Sequence, residues 1–215
     1  HNQIGDLLMS IVKLSNNGVK NATALGSISS LGSMIFIKKL TASSSATLSF
    51  VDGTSSVVLD NTYKEYLFTF KNIHPSNDGK NFQFQGSTDN GSSYGVTMTS
   101  TSFQAFNNES GSSDNTLSYR TGADIAQGTG YPSLTQESSF DNDHGVCGTL
   151  HLFNPSSSVF VKHWMCRFSS TMNINYANDL FSAGYFNTTS PIDAIQFKFD
   201  ANNIDAGDIC LYGIA

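Results

Sequence analysis

The pentapeptide GSSYG, at residues 91–95, has the spacing of the G-x-S-x-G motif, in which the serine acts as a nucleophile. That motif needs a tight turn from a strand into a helix, with an acid and a histidine farther along the chain. Here Asp89, Asn90 and Gly91 form a hairpin-type turn between two predicted strands, and no helical pattern follows. The sequence therefore favours a structural turn over a catalytic Ser93.

The same segment, STDNGSSY at residues 87–94, resembles a single Asp-box of the kind repeated in sialidase-like propellers. In that family the box is a turn whose aspartate binds backbone amides, while its aromatic residue packs under the hairpin. A single box in a chain poor in arginine does not indicate a sialidase. The resemblance implies that Asp89 has a structural role and that any chemistry lies elsewhere.

A C-x3-H…H-x2-C arrangement, formed by Cys147, His151, His163 and Cys166, has residue types that bind zinc. A turn near Ser156 would pair residue 151 with 161 and residue 147 with 165. Cys147, His151 and His163 would then share one face of a hairpin, while Cys166 would point to the other. Ordinary core and surface positions explain this pattern better than zinc does, so we expect no metal site.

Two clusters of acids and amides could bind a cation. DNDH, at residues 141–144, has the composition of a solvated turn. The closing segment, at residues 199–215, fails as a calcium loop. Counted from Asp200, its fifth position is Ile204, and no glutamate follows. The sequence predicts a turn ahead of a last strand, and we expect no cofactor.

Charge and composition exclude several classes of function. The 215 residues include only 13% charged side chains and carry a net charge of −6. No basic cluster suits nucleic acid, and no apolar run is long enough to insert into a membrane. Cys147, Cys166 and Cys210 are an odd, widely spaced set, which favours free thiols from a reducing compartment over a disulfide framework.

Two regions position these residues. Residues 1–32 carry an a/d heptad pattern at Ile4, Leu7, Ile11 and Leu14, followed by a small, polar linker. They predict a short N-terminal helix, either an oligomeric stem or a docking arm. From residue 33 to residue 215 the apolar period changes to two, and turn clusters separate about ten short runs. We therefore expect an all-β domain, an antiparallel, jelly-roll-like β-sandwich.

The stretch from about Gln104 to Asp143 is the exception to this alternation. It is rich in Ser, Gly and Asn, with only brief apolar interludes. In a compact domain such a length without secondary structure is typical of functional loops.

Four sequence blocks follow one another along the second region: GSMIFIKKLTASSSATLSFV, YLFTFKNIHPSNDGKNFQFQ, GTLHLFNPSSSVFVKHW and AGYFNTTSPIDAIQFKFDANNIDAGDICLYGIA. Their order, and the closing pattern I-x-A-G-x-I-x-L-Y-G-I, resemble the C-terminal β-domain of tailed-bacteriophage virion proteins. The likeness is greatest to fibres of marine and cyanobacterial phages. It covers most of residues 33–215.

This resemblance implies a structural virion protein: a tail fibre, or a capsid-attached fibre or decoration. The protein would be a homotrimer, assembled in the bacterial cytoplasm and exposed on the particle surface. Its tip or flank would meet a host glycan or protein, and residues 1–32 would contact other virion proteins. The family offers no catalytic motif, so we assign no catalytic residue and expect no enzymatic activity.

The irregular stretch supplies the candidates for receptor contact, because aromatic faces stack on sugars while nearby polar groups fix orientation. These candidates are Tyr119, Arg120, Tyr131, Phe140, Asp143 and His144. Two other functions remain open. One is a carbohydrate-binding β-sandwich module of a larger enzyme. The other is a hydrolase that uses Ser93 or a tailspike-like carboxylate pair.

Overall fold

The computed structural model describes residues 33–111 and 115–215. These residues contain eleven β-strands, joined by turns and loops, and no helix. The prediction of an all-β domain is confirmed, and Met34–Ala215 form one compact unit. The predicted helix, with Ile4, Leu7, Ile11 and Leu14, lies outside the described residues. The strands are β1 (Met34–Thr41), β2 (Leu48–Val51), β3 (Glu65–Pro75), β4 (Phe82–Ser87), β5 (Met98–Asn108), β6 (Thr116–Tyr119), β7 (Val146–Phe153), β8 (Lys162–Thr171), β9 (Tyr176–Phe186), β10 (Ala194–Phe199) and β11 (Ile204–Ile214).

The strands form two sheets in which every pairing is antiparallel. The large sheet has eight strands in the order β1-β11-β3-β7-β8-β9-β5-β6, and the small sheet has the order β2-β10-β4. A bulge between Phe36 and Lys38 interrupts the pairing of β1 with β11. No described element has the length and apolar character of a membrane-crossing helix.

The two sheets face each other across an apolar core that contains nine buried phenylalanine rings. Phe197 of β10 lies at its centre and contacts five other rings at centroid distances of 4.9–6.4 Å. These rings come from both sheets: Phe50, Phe68, Phe70, Phe82 and Phe84. Three of these contacts are edge-to-face and two are stacked, and both arrangements add to the free energy gained by burying the rings.

Strict alternation decides which side chains enter this core. Along β8, Trp164, Cys166 and Phe168 are buried, while the residues between them are exposed. Close packing under Trp164 requires Gly184 on the neighbouring strand, since a Cβ there would lie 2.7 Å from the indole ring. The core side of β8 is therefore fixed by packing, and its other side faces outward.

The stretch predicted to be irregular, Gln104 to Asp143, is partly regular. Its first residues continue β5 to Asn108, and Thr116–Tyr119 form β6, so the prediction was wrong at its N-terminal end. The period-two signal is weak there because the inward-facing side chains of β5 include Ser102 and Gln104, which are buried but polar.

The remainder of that stretch packs along the edge strand β4 and is not a set of free loops. The Leu134 amide donates to the Phe82 carbonyl at 2.7 Å, and the Phe82 amide donates to Thr135 Oγ1 at 2.9 Å. Leu134 is fully buried. The segment therefore supplies hydrogen-bonding partners to a strand edge that would otherwise be open.

We expect Phe197→Ala to lower the free energy of unfolding by about 3–5 kcal/mol, because it removes a ring from the centre of a packed core. Urea unfolding followed by tryptophan fluorescence measures this, since Trp164 is buried in the same core. Phe160→Ala is the matched control. Phe160 is 68% exposed, and its change should stay within about 0.5 kcal/mol. Equal losses in the two variants would contradict a central role for Phe197.

Candidate functional site

The segment around Ser93 is a hydrogen-bonded turn, as predicted. Asp89 accepts hydrogen bonds from the Ser87 hydroxyl at 2.7 Å, the Ser93 amide at 2.9 Å and the Ser93 hydroxyl at 2.6 Å. The Ser87 hydroxyl in turn accepts the Gly91 amide at 2.9 Å. The Ser93 hydroxyl is thus directed to a carboxylate within its own turn, and no helix follows it.

The cysteine and histidine quartet lies on two faces of the large sheet. Cys147 and His163 are exposed and His151 is half-buried, all on the outer face, while Cys166 is buried in the core. The predicted division between faces is confirmed. The predicted register was wrong, because His151 pairs with Met165 and the connection to β8 is longer than a tight turn. No group of three or more His, Cys, Asp or Glu side chains in the described residues is placed to hold a metal ion.

The closing segment is a turn followed by a strand. The Asp200 carboxylate accepts a hydrogen bond from the Asn81 side-chain amide at 2.8 Å, and Asn202 adopts the left-handed conformation, with φ of 66°. β11 then begins at Ile204 and lies between β1 and β3. The acids and amides of this segment therefore shape a strand connection.

The six predicted receptor contacts occupy three separate places. Tyr119 and Arg120 lie at the end of β6, where the Tyr119 hydroxyl donates to Asp124. Tyr131 packs on the small sheet, with its hydroxyl donating to Gln196 at 2.8 Å and Lys198 Nζ 4.3 Å from its ring centroid.

The other three candidates, Phe140, Asp143 and His144, lie in or near the loop before β7. Asp143 and His144 line a polar recess of about 470 Å³ together with His74 and Asp205. In this recess His74 Nδ1 is 3.6 Å from an Asp205 oxygen. Phe140 is 47% exposed. The structure therefore does not bring the six candidates into one site.

The outer face of the large sheet carries a feature that the sequence did not predict, a set of three adjoining depressions. We call it the outer trough. Its central depression, of about 410 Å³, is lined by Phe103, His151, Met165, Arg167, Phe181 and Ala183 among others. A depression of about 680 Å³ adjoins it through Thr149 and Arg167, and one of about 390 Å³ adjoins it through Met165 and Ala183.

Sheet register explains the form of the outer trough. Phe103, Phe181 and Arg167 are cross-strand neighbours on β5, β9 and β8. The two phenylalanine rings stack at 4.9 Å with planes 3° apart, and the Arg167 guanidinium lies 4.7 Å from the Phe181 centroid. The next row across the same strands contains the small side chain of Ala183. The stacked rings of Phe103 and Phe181 therefore form one side of the central depression, and Ala183 forms its base.

Two hydrogen-bonded pairs hold polar side chains of the outer trough in place. Arg167 donates two hydrogen bonds to Asp179, from Nε at 3.0 Å and from Nη2 at 2.7 Å. These hydrogen bonds raise the pKa of Arg167 above its ordinary value. On the opposite side His151 Nδ1 lies 2.6 Å from a Glu65 oxygen. The trough thus presents fixed hydrogen-bonding groups beside apolar surface.

A further pattern in the sequence could have revealed this face. In MCRF and LFSAGYF, large apolar residues occur at both odd and even positions of the strand. Because successive side chains point to opposite faces, one of these two sets must face away from the core. Met165, which is 51% exposed, belongs to that outward set, and Phe103 of β5, which is 45% exposed, lies on the same face of the sheet. A strand apolar on both faces indicates either burial on both sides or an exposed binding surface.

Comparison with known proteins gives no relative. No protein-family model, no curated protein and no solved structure matches the chain. The resemblance to virion proteins therefore stays a prediction.

The turn around Asp89 should make stability depend on pH. Hydrogen bonds from the Ser87 and Ser93 side chains lower the pKa of Asp89 to about 2, from an ordinary value of 3.8. The ionised Asp89 carboxylate therefore stabilises the folded state fully above pH 3.8, and this stabilisation is lost as the pH falls toward 2. The reason is that the carboxyl has a lower pKa in the folded chain than in the unfolded chain. The urea midpoint of Asp89→Asn should be lower than that of the natural protein at pH 7, and this difference should narrow between pH 4 and pH 2. Asp143→Asn, at a side chain that is 90% exposed, is the control and should show no such convergence.

The cysteines should differ in their reaction with iodoacetamide. Cys147 is exposed on the outer face, whereas burial raises the pKa of the Cys166 thiol to about 12. Because the thiolate is the reactive form, we expect Cys147 to be alkylated in the folded protein and Cys166 only after unfolding. Peptide mass spectrometry measures the two sites, with Cys147→Ser as the control. Equal rates at the two cysteines would show that the core side of β8 is open.

Proposed function

We propose that the chain is a structural protein of a tailed-bacteriophage virion that attaches the particle to the host surface. It would be a tail fibre or a capsid-attached fibre or decoration, exposed on the particle after assembly in the bacterial cytoplasm. The outer trough is the observation that carries this proposal, because adjoining depressions lined by exposed apolar side chains and hydrogen-bonding groups are typical of a binding surface. The order of the four sequence blocks supports the virion context.

Assembly is part of the proposal. The chain would form a homotrimer, with residues 1–32 as its stem or as an arm on another virion protein. We further propose that residues 33–215 form a jelly-roll-like sandwich, for which the facing eight-stranded and three-stranded sheets give support. No enzymatic activity is proposed, since Ser93 is bonded within its turn.

A second candidate function is a carbohydrate-binding module of a larger enzyme. The stacked rings of Phe103 and Phe181, beside the paired Arg167 and Asp179, favour it, since sugar-binding surfaces combine aromatic and hydrogen-bonding groups. The two candidates differ in where the chain resides, on a particle or attached to a catalytic domain.

We expect an antibody against residues 33–215 to label intact particles of the encoding phage in electron microscopy. The purified full-length chain should reduce adsorption of those particles to host cells, because it competes for the same surface component. Heat-denatured chain is the control for adsorption, and particles of an unrelated phage are the control for labelling. Absence of the chain from purified particles would overturn the virion proposal.

Light scattering of the full-length chain should give three times the monomer mass, and a stable monomer would overturn the proposed trimer.

A further inference from the structure

We propose that the outer trough binds a linear, uncharged polysaccharide of the host surface, lying along β8 and β9. This inference rests on the proposed attachment function and adds the ligand class and the residues that recognise it. It differs from the sequence-based candidates, because the trough lies on the face of central strands and not on loops.

The shape of the trough favours a linear ligand with repeating units. Along β9 the outward residues from Ala177 to Tyr185 line the three depressions in succession. At about 3.3 Å per residue this is a length of about 26 Å. Each depression, of 390–680 Å³, has the size of a pocket for one small-molecule-sized unit. Adjoining pockets in a line fit consecutive units of a chain.

The position of the trough disfavours an extended peptide. Peptides join sheets at open edges, where they form main-chain hydrogen bonds. The strands under the trough, β5, β7, β8 and β9, each pair with a neighbour on both sides. Their backbone groups are therefore engaged, and only side chains can recognise a ligand on this face.

Charge complementarity favours an uncharged ligand. Arg167 is the one lysine or arginine among the described residues that line the trough, and it is paired with Asp179. His151 lies against Glu65, and His163 lies against the Tyr185 ring, so no permanent cation of the trough is left unpaired for a phosphate, sulfate or carboxylate. The chain also carries a net charge of −6, which repels polyanions. The paired groups retain free lone pairs and N–H donors, and these suit hydroxyl groups, which both donate and accept hydrogen bonds.

The mixture of surfaces disfavours a purely apolar occupant or a second copy of the chain. Covering the pairs Arg167–Asp179 and His151–Glu65 with apolar groups would remove water from four ionisable side chains without replacing their hydrogen bonds. A concave face is also not complementary to itself, which disfavours a twofold dimer through this face; a contact between subunits of the proposed trimer is one of the outcomes of the test below. A sugar chain presents C–H surface to Phe103 and Met165 and hydroxyls to the paired groups.

The test is binding of full-length chain to immobilised neutral oligosaccharides of two to eight hexose units. These would be malto-, cello- and manno-oligosaccharides, together with neutral polysaccharide extracted from the host surface. Oligogalacturonates of the same lengths serve as the acidic comparison. We expect at least one neutral series to bind, with affinity that rises with chain length and then levels off once the trough is filled. Binding should change less than twofold between 50 and 500 mM salt, since no ion pair forms with the ligand.

Two variants locate the site. Ala183→Trp fills the central depression, and Phe103→Ala removes one ring of the stacked pair. Each should weaken neutral-oligosaccharide binding at least tenfold. Ala201→Trp and Phe160→Ala make the same changes at exposed positions outside the trough and should alter binding less than twofold. Circular dichroism and alkylation of Cys166 check that each variant is folded.

Several outcomes would overturn the inference. They are no binding to any neutral series, salt-sensitive binding to oligogalacturonates alone, or neutral binding that survives Ala183→Trp and Phe103→Ala. A change of oligomeric mass in both trough variants, with sugar binding retained, would assign the trough to a subunit interface and would also overturn the inference.

These results are separate from the test of the proposed virion function. A chain found on particles but unable to bind neutral sugars defeats only this inference, and a sugar-binding chain absent from particles defeats only the virion proposal.

Discussion

The packing of phenylalanine rings between the two sheets is the interaction on which the rest of the structure depends. Phe197 contacts rings from both sheets, and further ring pairs, such as Phe50–Phe68 and Phe84–Trp164, also join the three-stranded sheet to the eight-stranded one. Because side chains alternate along a strand, fixing Trp164 and Phe168 in this core also fixes their neighbours on the opposite face. The outward positions of Met165 and Arg167 are a direct result of packing on the inward side.

The outer trough shows how such a constraint can produce a binding surface. Its wall is rigid because each member is held by another: Phe103 by Phe181, Phe181 by Arg167, and Arg167 by Asp179. Rigid side chains lose little conformational entropy when a ligand binds, so even a shallow site can be selective. The depression at Ala183 exists because a small residue lies beside these large ones in the next row.

Much of the fold could be predicted from the sequence, and less of the site. Period-two alternation predicted about ten short strands where the described residues have eleven, with part of β5 assigned to the irregular stretch, and the composition of the turns identified the structural roles of Asp89 and Asp200. The end of β5 was missed because its inward face is polar, as at Ser102 and Gln104, and β6 was missed because it has only four residues and none of them is buried. Turn composition placed the β7–β8 hairpin near Ser156, but it does not set the length of a loose connection, so the register of His151 was wrong. The trough requires β5 to lie beside the consecutive strands β7, β8 and β9. The apolar residues at successive positions of β8 and β9 indicate an exposed apolar face, but they do not encode its meeting with β5.

The two edges of the large sheet have a consequence for crowded conditions. β1 carries the bulge after Phe36, and β6 has only four residues, so neither edge offers a long, regular row of free backbone groups. In the small sheet, the segment around Leu134 occupies the edge of β4. Edges of this kind hinder the growth of a continuous sheet from one molecule to the next. Many copies of the domain could therefore be held side by side at high local concentration without polymerising into amyloid-like fibrils.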